Sequence, residues 1–265
     1  MRHEIERGST YFRGLNTLAQ AYRAAEVKII NAYFARPRRK SDHIRWLRAQ
    51  AFKEYAAIRP TFTALAKLYP EVDRRVDRHD FEELTEKLAN ETKHARLVMD
   101  LLEEISGKRV TFGDLLWLPQ DRKLARIRAK YSKDRAGILS GSKKIIATRA
   151  KTRREEIERA AVALTEGGGR ALYKACSKLK RQGIEGLIAS VFKEILLHKV
   201  AHKSPGDRSL ASRITDEASF QRAAKIIREV SSQRLRMRNE QFGFPLTDDE
   251  LLALQKDARK SLAHP

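Results

Sequence analysis

The stretch FEELTEKLANETKHARLVMDLLEEI, residues 81–105, decides the fold expected for this chain. Its apolar residues recur at alternating spacings of three and four, the pattern of a helix that buries one face in a bundle. They are Phe81, Leu84, Leu88, Ala95, Val98, Leu102 and Ile105. The step after Leu88 falls on Glu91, and His94 follows one turn later. Both are predicted to face the core, where an unpaired carboxylate is unfavourable and needs an ion pair, a proton or a metal.

The rest of the sequence is typical of an all-α protein. Hydrophobic residues make up 42% of the 265 residues, so a core can be buried, whereas 13 glycines and 7 prolines are too few for many turns. Helical periodicity is found almost throughout, and we predict a single helical domain over 1–265. The expected helices cover about 10–35, 42–69, 79–106, 120–138, 152–181, 184–203, 216–238 and 247–261. The last opens with Thr247 and Glu250 in a capping-box pattern.

Cellular location is predicted from what the sequence lacks. Cys176 is the single cysteine, so no disulfide can form within the chain, which suits a reducing compartment. The first ten residues do not have the pattern of a signal peptide. No window approaches the roughly 18 apolar residues that a membrane span needs. These features predict a cytoplasmic protein without a membrane span.

The helix before residues 79–106 carries a second inward carboxylate. Its apolar series leaves one step between Ala51 and Ile58 unfilled, and that step is Glu54. The turn joining the two helices centres near residue 73, so Glu54 and the Glu91–His94 pair are about equally far from it. In an antiparallel hairpin these three side chains would meet at one level.

The same arrangement recurs later in the chain. Glu166 shares a helix face with Val162, Gly169, Tyr173 and Cys176. On the following helix, Glu194, His198 and His202 form one stripe after Ile184, Leu187 and Val191. A four-helix bundle would bring both hairpins together. Four carboxylates and two imidazoles are the ligand set of a di-iron or di-manganese carboxylate site. His202 is a possible additional ligand, although a histidine near a helix C-terminus also interacts with the helix dipole.

At these positions the chain resembles the ferritin-like di-iron carboxylate superfamily, over roughly residues 42–203. The matching positions are Glu54, Glu91 and His94 in ETKH, Glu166, and Glu194 with His198. The second motif has three residues between Glu and His where the family usually has two, so either His198 or His202 is the final ligand. The spacing between motifs is similar to that of di-iron N-oxygenases, which oxidise arylamines.

The resemblance implies a ferritin-like four-helix bundle with additional N- and C-terminal helices. The bundle would cover 42–203 with a basic crossover at 108–154, and helices in 204–265 would pack on it. It further implies two iron ions, or manganese or a mixed Mn/Fe pair, with O2 as co-substrate. An electron donor and a second copy of the chain are the expected protein partners.

Three consecutive glycines follow Glu166 directly. Glycine inside a helix costs roughly 1 kcal/mol relative to alanine, so the run needs a reason. Close helix packing, a local bulge, and a space for dioxygen and substrate all remain open. The residues expected to line such a cavity are Tyr55, Gly167, Gly168, Gly169, Tyr173 and Cys176, although the tyrosines and the cysteine are also ordinary core residues.

A net charge of +21 predicts an acidic partner or a solvated basic face. The proposed basic surface comprises Arg122, Lys123, Arg126, Arg128, Lys130, Lys143 and Lys144. Suitable partners are tRNA, an acidic carrier protein or a coenzyme A ester. Aromatic residues are nearly absent from the basic segment, which disfavours base stacking and leaves phosphate contacts.

Three functions follow from these patterns. The first is an oxygen-activating di-metal enzyme that hydroxylates, oxidises or desaturates an organic substrate. The second is an iron-binding or storage protein of the ferritin-like type. The third is a non-enzymatic helical nucleic-acid-binding protein, in which the inward Glu and His side chains are structural ion pairs.

Overall fold

The computed structural model describes residues 2–131, 145–166, 168–180, 182–201 and 213–262. The regular secondary structure of these ranges is helical, and they contain no β-strand, only an isolated bridge between Val72 and Val76. The all-α prediction is therefore confirmed for the described part of the chain. None of its helices is long and apolar enough to cross a membrane.

The α-helices of the described residues are as follows, in chain order. They are α1 (Arg2–Phe34), α2 (Lys40–Leu68), α3 (Arg78–Ser106), α4 (Pro119–Tyr131), α5 (Ile145–Thr165), α6 (Gly168–Cys176), α7 (Gly183–Ala201), α8 (Glu217–Gln241) and α9 (Asp248–Lys260). Short 3-10 helices cover Tyr69–Glu71 and Phe112–Asp114.

Side chains at the helix ends account for several of these boundaries. The Asp77 carboxylate accepts a hydrogen bond from the His79 amide (2.8 Å) at the start of α3. That helix ends at Gly107, whose φ of 73° lies in the left-handed region that favours glycine. At the start of α9, Thr247 and Glu250 cap each other's amides, which confirms the predicted capping box.

Two apolar clusters form the core. The first joins residues 15–29 of α1 with α4, α5, α8 and α9. The second joins the C-terminal end of α1 with α2, α3, α6 and α7. Within the second cluster, α2 packs along α3, α6 packs along α7, and α3 packs against α7. The expected α2–α3 hairpin is thus present, and it is in contact with a shorter hairpin formed by α6 and α7.

The second hairpin differs from its prediction. A single helix was expected over 152–181, but α5 ends at Thr165 and α6 begins at Gly168. The Glu166 amide donates to the Ala163 carbonyl (2.9 Å), so the last turn tightens before the glycines. Glycine has low helix propensity, and the break lets the chain pass from the first core cluster to the second.

Candidate functional site

Glu54 lies in the interior, as predicted, at 4% exposure on α2. One of its carboxylate oxygens accepts hydrogen bonds from the Gln50 amide (2.5 Å) and from the Tyr173 hydroxyl of α6. Burial raises the pKa of Tyr173 well above its usual value, and the negative charges of Glu54 and Glu91 raise it further. Tyr173 therefore keeps its proton and orients the Glu54 carboxylate.

The two predicted histidines of different hairpins face each other. His94 of α3 is buried at 3% exposure, and its ring stacks on that of His198 of α7. The ring centroids are 5.7 Å apart and the planes are inclined by 18°. The Nδ1 atom of His198 is buried and makes no hydrogen bond to any described residue. The packing of α3 on α7 thus brings two imidazoles together, and Glu91 lies half-buried one turn before His94.

Lys93 lies between two of the predicted metal ligands, Glu194 and His198. The Lys93 ammonium is 3.1 Å from a Glu194 carboxylate oxygen and 3.2 Å from Nε2 of His198. The side chains of Lys93 and Glu194 are 41% and 44% exposed, so this edge of the histidine pair is open to solvent. A positive charge is therefore already held where a carboxylate and an imidazole meet.

Glu166 does not join these side chains. It was expected to share the buried face of Tyr173, but it is exposed after the end of α5 and pairs with Arg128 of α4. The reason is the helix break, which interrupts the periodicity on which the expectation rested. Among the described residues, no group of three or more His, Cys, Asp or Glu side chains is arranged to hold a metal ion.

The expected cavity residues are dispersed. Tyr55 is exposed and its ring contacts Phe112. It therefore does not share the buried face of α2 on which Glu54 lies. Cys176 is fully buried, and burial raises the pKa of its thiol. Gly168 and Gly169 form the first turn of α6. The remaining expected positions, Gly167, His202, Lys143 and Lys144, lie outside the described residues.

A buried ion pair beside Glu54 was not predicted from the sequence. Nε of Arg238 on α8 donates to Glu26 of α1 (2.7 Å), and both side chains are at most 2% exposed. The same guanidinium reaches the amide oxygens of Gln241 and, at 3.5 Å, Gln50. Through Gln50 the network continues to Glu54. Glu26 lies between Ala25 and the apolar pair Ile29 and Ile30, so its position in an apolar series could have indicated its burial, as it did for Glu91. Its partner Arg238 is 212 residues away, and no local pattern indicates that contact.

Lys53 is a second positively charged residue, besides Arg238, close to this hydrogen-bond network. Its ammonium lies 3.5 Å from Asp121 of α4 and 3.3 Å from the Met237 sulfur, with 21% of the side chain exposed. Burial lowers the pKa of Lys53 to about 8, since it disfavours the charged form, and the nearby Arg238 and Arg234 act in the same direction. Asp121 opposes this shift only in part.

The lowered pKa of Lys53 predicts that the free energy of unfolding depends on pH. Between about pH 8 and pH 10.5 the unfolded chain holds a proton on Lys53 that the folded protein lacks, so the free energy of unfolding rises with pH in this window. The contribution is on the order of 2–3 kcal/mol across the window. Urea unfolding at several pH values should show this rise in the wild type and lose it in Lys53→Met. Lys87→Met, at an exposed lysine, should retain it.

No protein-family model matches this chain, and no match was found among curated proteins or among solved structures.

Proposed function

We propose that this chain is a metal-dependent, oxygen-activating oxidoreductase whose metal centre lies between α2, α3 and α7. The observation that supports it best is the pair of facing imidazoles, His94 and His198, in the contact between the two hairpins. Carboxylates stand on the same helices, with Glu91 one turn before His94 and Glu194 one turn before His198. Imidazole and carboxylate together suit iron and manganese.

The donors fit such a centre after a local rearrangement. Nδ1 of His198 is buried without a hydrogen bond to described residues, which leaves a lone pair or proton uncommitted. The Lys93 ammonium between Glu194 and His198 stands where a metal cation would neutralise the same donors. Because Lys93 is partly exposed, it can swing into solvent and free them. Glu91 and Glu194 lie on the same helices as the two imidazoles and are proposed to turn towards them on metal binding.

The proposed ligands are Glu54, Glu91, His94, Glu194 and His198. Glu54 is held in place by hydrogen bonds from Gln50 and from the protonated Tyr173. Bound iron or manganese, up to two ions per chain, supplies the redox chemistry that activates dioxygen for oxidation of an organic substrate. The exposed edge at Lys93 and Glu194 is the side from which a substrate approaches.

Metal binding tests this proposal directly. We expect anaerobic titration with Fe(II), followed by gel filtration and metal analysis, to show tight uptake of up to two ions by the wild type. His94→Ala with His198→Ala should weaken uptake by more than about 100-fold, since loss of a ligand exceeds the effect of a lost outer-shell contact. His79→Ala, at an exposed histidine that pairs with Glu82, is the matched control and should leave uptake unchanged.

Two further variants separate the proposal from its alternatives. Lys93→Ala should raise metal affinity, because it removes the competing cation. Glu166→Ala should leave loading unchanged, because Glu166 pairs with Arg128 at the surface. Absence of tight metal in the wild type would contradict the proposal, and loss of metal from Glu166→Ala would restore Glu166 to the ligand set.

A further inference from the structure

A cationic groove of about 780 Å³ lies away from the histidine pair, between α4, α8 and α9. Five positively charged side chains line it, Lys123, Lys225, Arg228, Arg236 and Arg259. Glu229 is the one carboxylate among the described lining residues, and it is engaged by Lys130 and the Tyr131 hydroxyl of α4. The groove therefore has a strong excess of positive charge.

Among the described lining residues only Glu229 offsets the five cations, and Lys225 interacts with it through its charge. None of them forms an ion pair or a side-chain hydrogen bond with a described residue. Nε of Arg228 is buried and has no hydrogen-bond partner there. A buried donor without a partner is unfavourable, so an acceptor from outside the chain would be favoured at this atom. These side chains are arranged to receive an anion.

The arrangement is elongated. Lys225, Arg228 and Arg236 follow one face of α8 over twelve residues, which is about 16 Å at the rise of a helix. A single small anion would contact only part of this row. A nucleic-acid duplex carries one negative charge per roughly 1.7 Å of axis, so the row matches several successive phosphates.

The lining also indicates how the ligand is contacted. None of the described lining residues is aromatic, which leaves no platform for stacked bases. Ile127 is the one large apolar residue among the described lining residues, so an acidic protein would have a single apolar side chain to pack against. Charge without stacking or apolar anchoring is typical of contacts to the phosphate backbone, which position a protein without reading sequence.

We infer that this groove binds the phosphate backbone of a structured nucleic acid, independently of base sequence. The inference does not depend on the metal centre, because it uses no residue of that site. Part of the net charge of +21 thereby has a specific place on the surface, the groove with its five cations. It also includes only one residue of the basic surface expected from the sequence, Lys123, because the other four cations belong to α8 and α9.

The test compares two variants that each remove three exposed positive charges. The groove variant is Lys225→Ala, Arg236→Ala and Arg259→Ala, and the matched control is Arg59→Ala, Arg74→Ala and Lys87→Ala near the far end of the α2–α3 hairpin. Fluorescence anisotropy with RNA and DNA duplexes of about 20 base pairs, between about 50 and 200 mM salt, gives affinity and its salt dependence. Circular dichroism verifies that both variants are folded.

The groove variant should weaken duplex binding on the order of 10- to 100-fold near 0.1 M salt and lower the slope of log K against log salt by about three. The control should keep nearly the wild-type slope, and duplexes of unrelated sequence should bind alike. Equal weakening by both variants would overturn the inference, because net charge alone would then explain binding. Groove-dependent binding of a polyglutamate peptide without duplex binding would overturn it in favour of an acidic protein.

Discussion

Replacing Glu26 by alanine is expected to lower the free energy of unfolding by about 3–5 kcal/mol. Glu26 is 1% exposed and is the carboxylate that holds the buried Arg238 guanidinium. Without it, Arg238 remains in the interior, where it keeps its contacts to the amide oxygens of Gln241 and Gln50. Arg234 is affected as well, because burial lowers its pKa to about 10 and the charge of Glu26 opposes that shift. Urea unfolding followed by circular dichroism measures the loss.

A surface ion pair provides the comparison for Glu26. Glu71 pairs with Arg75 at 3.5 Å, but both side chains reach solvent. Glu71→Ala should therefore change stability by less than about 1 kcal/mol. Joint replacement of Glu26 and Arg238 by apolar residues should cost less than Glu26→Ala alone, because no unpaired charge remains. A loss below about 1 kcal/mol for Glu26→Ala would contradict the argument that this pair is fully desolvated.

Replacing Trp46 by alanine should cost about 3–5 kcal/mol, since it opens a cavity in the second core cluster. Trp46 is fully buried on α2, and its ring packs against Phe192 of α7 and Phe242 at the end of α8. Phe192 lies two residues before Glu194, so the cavity also loosens the part of α7 that carries the proposed ligands. Metal affinity should fall together with stability if the centre forms between these helices.

The chain's other tryptophan is a matched control. Trp117 is 45% exposed and stacks on Phe52 with ring centroids 5.3 Å apart. Trp117→Ala removes the same side chain from a site that is already solvated, so only about 1 kcal/mol should be lost. Similar losses for the two variants would show that Trp46 does not carry the packing between α2 and α7.

Much of the second core cluster could be predicted from local periodicity. The spacing around Glu91 and His94 predicted a helix that buries His94, and α3 does so. The gap in the apolar series of α2 identified Glu54 as buried. Helical periodicity predicts burial at these positions because each helix is continuous over several turns, so that residues three and four apart keep a common face.

The same reasoning failed for Glu166 because the helix was not continuous. The prediction assumed that one helix continues through the three glycines, but α5 ends at Thr165 and α6 begins at Gly168. Sequence patterns also did not reveal that Lys93 lies between Glu194 and His198, because that contact joins residues more than 100 positions apart. A lysine beside a glutamate on a helix surface gives no local sign of such a partner.

The sequence by itself determined the all-α class, the capped start of α9 and the inward position of Glu54 and His94, since these depend on interactions within one helix or one turn. Only the tertiary structure decided that Glu26 pairs with Arg238, that His94 faces His198, and that the cations of α4, α8 and α9 line one groove. These contacts depend on how helices distant in sequence cross. That crossing is set by the total packing of two core clusters, each of which is built by helices from distant parts of the sequence.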